Sequence, residues 1–236
     1  MLNFILLQAS QNLTEGAKAI GSAVQPSGVE LGFFDLAVKG GPIMIPIVLL
    51  SFIAMFIFFD RYMAIRKAGK VDSRLMDRVR EYILDGKIDS AFALCRSENN
   101  PTARMIEKGI SRIGRPMSDV TTAIENVGNL EVSKLEKGLP VLASVAGGAP
   151  MLGFLGTVTG MIEAFYDMAN AGNNLNISLL SSGIYQAMVT TVAGLIVGIA
   201  AYFAYNILVT NVEKVVFNME YATNEFMDML YEPAKK

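Results

Sequence analysis

The chain has 236 residues, 52% of them hydrophobic and 18% charged, with a mean hydropathy of +0.40. That is too apolar for an ordinary water-soluble domain and too charged to lie wholly in a bilayer, so a membrane part and a water-facing part are both required. A net charge of −2 gives no reason to expect a nucleic-acid partner, and the lack of any histidine and a single cysteine exclude Ser-His triads, histidine metal sites and an internal disulfide built from this chain; no metal and no cofactor are expected.

Residues 1–38 read as a periplasmic N-terminal segment. The short apolar run MLNFILL has no Lys or Arg before it and resembles an interfacial helix more than a cleaved signal. Gly16, Gly21, Pro26, Gly28 and Gly32 then favour loop. Residues 39–60 form the first span: Gly40 to Phe59 is free of charge and long enough to cross a hydrocarbon core of ~30 Å. Pro42 suits a helix start, and Pro46 is placed to bend the entry. Arg61, Arg66, Lys67, Lys70, Arg74, Arg78 and Arg80 follow, so the positive-inside rule puts this side in the cytoplasm and the N-terminus outside.

Residues 61–138 read as a cytoplasmic helical region. Leu75, Val79 and Tyr82 or Ile83 recur at helical spacing, with Asp72 or Ser73 as cap and Gly86 as stop. A second short helix covers IDSAFALCRSE, where Cys95 reads as a packed thiol. Asn100-Pro101 reads as cap plus first residue of a third, running to about Ile113. Gly114 and Pro116 break the chain again. Ser118 is the expected cap of one long helix, from about 118 to 168, half in water and half in lipid.

The second span is 139–166, and no residue from Gly138 to Ile162 is charged. It is no simple anchor, because glycine weakens a helix and offers lipid little side chain. Gly156 and Gly160 share a face, as do Ala149 and Gly153; such faces let another helix approach closely. Residues 167–177 form a loop on the outer side. The third span is 178–209, with Gly194 and Gly198 as a further close-packing pair, and residues 210–236 continue as a cytoplasmic helix with a stripe of Val212, Val216, Met219, Phe226 and Met229. The fold expected is therefore an all-α membrane protein with three transmembrane helices, N-out and C-in, helices two and three extending into a cytoplasmic helical domain. Gly153, Gly156, Gly160, Gly194 and Gly198 are the expected helix-packing residues. Their small faces cannot all be buried within one three-span subunit without leaving the first span mostly outside, which predicts an oligomer.

Polar groups inside the spans are the candidates for function. Thr157, Thr159, Thr190 and Thr191 can each bond back to the preceding turn, but Gln186 carries an amide that needs partners when buried. Glu163 and Asp167 lie near the outer end of the second span, either as interfacial carboxylates open to water or as ion-entry groups, with Glu163 the candidate for entry. Paired intramembrane carboxylates are absent, which disfavours an intramembrane enzyme.

APMLGFLGTVTGMIEAF, followed by SSGIYQAMVTTVAGLIVGIAAYFAYN, resembles the MotA/TolQ/ExbB proton-channel family; FDRYMAIRKAG at the exit of the first span extends the match. Three spans with the N-terminus outside resemble the ExbB/TolQ branch. The resemblance implies a homo-pentamer in a bacterial inner membrane, with two ExbD- or TolR-like single-span subunits in its pore, a partner aspartate that carries the proton, and a TonB-like protein as the driven load. It implies pore-lining roles for Thr157 and Thr191, with Gln186 and Thr190 beside them. The ExbB pattern Gly-Ile-x-Glu-Ala reads here Gly183-Ile184-Tyr185-Gln186-Ala187, so an amide stands where that pattern has a carboxylate. A TolQ-like or gliding-type load, and a non-conducting scaffold, are the alternative readings. Membrane lipid is the remaining expected partner.

Overall fold

The computed structural model describes residues 40–69, 74–170 and 177–231. The N-terminal segment 1–38, the caps Asp72 and Ser73, and the loop tip 171–176 lie outside the described residues. The described chain is helical throughout: α1 (Met44–Ala68), α2 (Leu75–Leu84), α3 (Ile88–Ser97), α4 (Pro101–Ile110), α5 (Met117–Glu136), α6 (Leu139–Asn170) and α7 (Ile177–Tyr231). Three stretches are long and apolar enough to cross a membrane, namely α1, the α5–α6 line and α7. Phe52 and Phe56 of α1 are 69% and 74% exposed, as side chains bathed in lipid would be.

The entry to α1 is a tight turn. Gly41 has φ +69°, and the Met44 and Ile45 amides donate to the carbonyls of Gly41 and Pro42. Pro46 falls in the first helical turn, where a missing N–H leaves no bond unmade. At 55 residues and 1.5 Å per residue α7 is about 82 Å long, roughly twice a whole bilayer. It must therefore leave the membrane, and it does so as the spine of a polar helical cluster.

In that cluster α2 to α5 pack on one another in succession, and α2, α4 and α5 also pack on the second half of α7. Leu75, Val79, Ile106, Ile124 and Phe226 are fully buried and form its core. Val212, Met219, Phe226 and Met229 are the buried side of α7, so its apolar stripe contacts helices. Gly86 closes α2 at φ +73°, and the Asn100 side chain accepts the Ala103 amide at 2.7 Å with Pro101 as first helical residue. Ser118 does not cap α5. Pro116 holds the cap position in an extended conformation, and its carbonyl accepts the amides of Asp119 and Val120. Cys95 is fully buried; burial first, then the carboxylates of Glu107 and Glu98, push its thiol up to about 12.

The expected continuous helix from 118 to 168 is interrupted. Lys137 is extended (φ −54°, ψ 123°) and Gly138 is left-handed (φ +88°). Pro140 explains the break: within a continuous helix its ring would meet the carbonyl of Glu136, four residues back, which it has no N–H to satisfy. Only glycine takes the left-handed turn without strain. Arg61 of α1 covers the opened end, its guanidinium donating at 3.1 Å to the Lys134 carbonyl in the last turn of α5.

Candidate functional site

The site is built on the antiparallel pair α6 and α7. Each presents one small-residue stripe: Ala149, Gly153, Gly156, Gly160 and Ala164 on α6; Gly183, Ala187, Gly194, Gly198 and Ala201 on α7. The two stripes face each other with almost no side chain between them. A methyl group placed on Gly153 would lie 2.9 Å from the Thr190 carbonyl oxygen, and one on Gly194 would lie 2.5 Å from that of Ala149. Gly160 meets Ala187 and Gly183; Gly198 meets the Pro150 ring. The small faces are thus buried within one subunit, and α1 is left mostly outside the packing, with Ile45, Phe52, Met55 and Phe56 exposed. Gly147 and Gly148 lie off the seam, and a methyl group on either would have nothing within 4 Å.

Helix geometry divides the polar residues between the two edges of this seam. At 100° per residue, Thr157 is offset from the centre of the α6 stripe to one side, and Thr159 and Glu163 to the other. On α7, Thr191 is offset one way, and Thr190 and Gln186 the other. Because the helices are antiparallel, offsets of the same sense meet. Thr157 and Thr191 therefore share one edge; Thr159, Glu163, Gln186 and Thr190 share the opposite one. The four expected pore residues do not form a single row.

On the first edge the Thr191 hydroxyl donates across the seam to the Gly153 carbonyl at 3.0 Å, and the Thr157 hydroxyl donates to Phe154 of its own helix at 2.6 Å. Thr191 thus ties the two helices together, an arrangement open only because Gly153 has no side chain in the way. On the second edge Thr190 is buried and donates to the Ala187 carbonyl at 2.8 Å, and Thr159 donates to Leu155 and Gly156.

The second edge also borders a partly open pocket of about 140 Å³, large enough for several waters and lined chiefly by Gly40, Pro42, Thr159, Glu163, Gln186 and Thr190. The entry turn of α1 forms its wall. Gly41 lies directly against the Gln186 amide, so a side chain there would collide with it, and the positive φ disfavours one independently. Chemically this pocket offers one carboxylate, an amide that both donates and accepts, and two hydroxyls: enough to hold a short chain of water. Thr159 joins it, a candidate hydroxyl in the sequence that was not among the expected pore residues; its spacing of four from Glu163 was the available signal. The wall at Gly40–Pro42 had none, because it comes from a helix more than a hundred residues away. Among the described residues no cluster of three or more metal-ligating side chains forms.

The architecture defines a multi-pass, all-helical membrane protein whose polar groups border a glycine seam between two antiparallel spans. Residues 97–221 match the model of the MotA/TolQ/ExbB proton channel family, which covers α4, α5, α6 and most of α7. The chain belongs to that family. It is 29% identical over 185 residues to an ExbB-like biopolymer transport protein of Synechocystis sp., covering 75% of this chain and 70% of that one. It is 27% identical over 205 residues to the Tol-Pal system protein TolQ of Pseudomonas aeruginosa, covering 80% and 86%. With the biopolymer transport protein ExbB of Aquifex aeolicus it shares 36% identity over 111 residues, 46% of this chain and 74% of that one.

Proposed function

We propose that this chain is the pore-forming subunit of an ExbB/TolQ-type proton-driven motor in a bacterial inner membrane, oriented N-out and C-in. Five copies surround two ExbD- or TolR-like single-span partners, and a TonB-like protein is the load. The family match carries the reading, and the separation of the two seam edges supports it. The edge bearing Thr157 and Thr191 is the one turned to the partner helices. The edge bearing Glu163, Gln186, Thr159 and Thr190 is a water-holding compartment walled by α1, on the path by which protons enter.

Hydroxyls and amides orient a proton carrier but titrate too far from neutrality to be one. With Gln186 in the place of the glutamate of the ExbB pattern, the carrier is a carboxylate of the partner helix. The membrane potential supplies ~2.3 kcal/mol per elementary charge at 100 mV, so each proton drives a small step and a working cycle repeats many. The similarity to TolQ of Pseudomonas aeruginosa spans most of both chains and makes a Tol-type load the second reading.

The test is proton flux into vesicles containing this chain co-expressed with a single-span partner. Thr157→Val and Thr191→Val are expected to cut flux severalfold while the oligomer persists on native mass spectrometry; Gln186→Glu is expected to conduct. Glu163→Gln is the decisive variant. Flux abolished with assembly and partner binding intact would move the carrier onto this subunit. A complex that never dissipates a proton gradient would leave a structural scaffold.

A further inference from the structure

Two successive grooves along the α1–α7 contact make up one furrow. Its first part is a groove of about 420 Å³ lined chiefly by Ala54, Met55, Phe58, Ala200, Phe203 and Ala204, almost wholly apolar. Its second part, about 490 Å³, is lined by the polar or charged Tyr62, Arg66, Asn211, Lys214 and Asn218, with Ile65, Gly69 and Val215 between them. The two are successive turns of the same faces. Ser51, Met55, Phe58, Tyr62 and Arg66 recur three or four residues apart on α1, as do Ala200, Ala204, Ile207, Asn211, Lys214 and Asn218 on α7. The rings of Phe58 and Tyr62, 5.8 Å apart and 27° from parallel, make a stacked wall across the junction.

The change of lining falls where the charges begin. The first charged residues after the apolar runs of α1 and α7 are Asp60 and Glu213. The apolar part therefore lies inside the hydrocarbon, and the polar part lies at the headgroup level of the same leaflet. From Ser51 to Phe59 the groove rises about 12 Å, most of one leaflet of a core ~30 Å thick. At the polar end Asp60 is paired with Arg61, whereas among the described residues no ion pair engages Arg66 or Lys214. Glu213 is the one acidic neighbour in sequence, and it is not part of the lining.

We propose that this furrow binds one anionic glycerophospholipid. Its phosphate lies between Arg66 and Lys214, Tyr62, Asn211 and Asn218 donate the neutral hydrogen bonds, and an acyl chain follows the apolar groove towards the bilayer centre. An apolar second helix is the poorer occupant, because it would cover both cations without supplying a counter-charge. The proposal rests on α1 and α7 crossing the membrane and is independent of proton conduction.

The experiment is native mass spectrometry of the full-length protein in mild detergent, titrated with dioleoyl phosphatidylglycerol, dioleoyl phosphatidylcholine and inorganic phosphate. Phosphatidylglycerol is expected to bind about tenfold or more tightly than phosphatidylcholine. The double variant Arg66→Gln/Lys214→Gln is expected to lose that preference, since basic residues at a membrane surface are what favour anionic over zwitterionic lipid. The charge-conserving pair Arg66→Lys/Lys214→Arg should retain it, and Ala200→Phe, which fills the groove, should weaken both lipids. Helical content and elution volume of each variant report folding separately. Equal binding of the two lipids, or undiminished phosphatidylglycerol binding by the glutamine variant, would overturn the proposal. So would millimolar inorganic phosphate displacing the lipid, which would show an anion site with no place for the chain.

Discussion

The seam between α6 and α7 and the core of the polar helical cluster are both helix packing, and they are made in opposite ways. In the seam contact comes from removing side chains. Glycines bring backbone against backbone, and a threonine hydroxyl crosses directly to a carbonyl. In the cluster contact comes from large side chains: Phe226, Leu75, Ile106 and Ile124 interlock with no solvent exposure. The surroundings account for the difference. In water, burying apolar side chains is itself a driving force, so bulk is favoured. In lipid no such force separates a leucine from its surroundings, and helices associate by close fit and by hydrogen bonds. Ions follow the same division. The cluster holds Glu131, 4% exposed, between Arg104 at 2.6 Å and Lys134 at 2.7 Å, whereas the seam itself holds no charge.

This contrast is open to attack at several points. Gly194→Val is expected to be the most damaging change, because its added carbon meets the Ala149 carbonyl and the Gly153 backbone, neither of which can rotate away. The cost should exceed the usual ~1–3 kcal/mol of overpacking, and folded protein should fail to accumulate in the membrane fraction. Phe226→Ala should lose ~3–5 kcal/mol through a cavity in the cluster, read as a lower unfolding temperature, with α1, α6 and α7 still inserted.

Glu131→Gln should cost about 1–2 kcal/mol, discounted because Arg104 and Lys134 are themselves partly in solvent. Burial raises the Glu131 carboxyl, but the hydrogen bonds and charges of Arg104 and Lys134 outweigh it and hold the group below its ordinary value. A carboxyl depressed in the folded state stabilises above its unfolded pKa of ~4.3, and that contribution is lost as pH falls through the folded value. The glutamine variant should therefore show a flatter acid limb in stability against pH, and an unchanged acid limb would remove the ion triad from the account. Gly147→Ala should have the smallest effect, neutral or up to ~1 kcal/mol stabilising, since nothing lies within 4 Å of the new methyl group. If it proves as harmful as Gly194→Val, the outer face of α6 is also a close-packed interface, against another subunit.

The local content of the chain was legible from residue types alone. Charge-free runs of about twenty residues announce the apolar spans, and proline, glycine and Asn100 mark most helix boundaries, because these signals act within a turn or two of where they stand. Pro140 was equally visible, but its effect at Lys137–Gly138 was decided by the structure. Whether a proline bends a helix or breaks it depends on what takes up the freed carbonyls, here Arg61 from another helix. Which face a small residue turns towards was not legible either. Spacing places Gly153, Gly156 and Gly160 together, but the same spacing serves a contact within a subunit or between subunits. Only the antiparallel approach of α6 and α7 assigned them to each other. That approach also divided Thr157 and Thr191 from Gln186, Thr190 and Glu163, and the packing of α1 beside the pair brought Gly41 against Gln186. Sequence order carries no record of either result, because both arise from how separate helices turn about their axes to bring their backbones together.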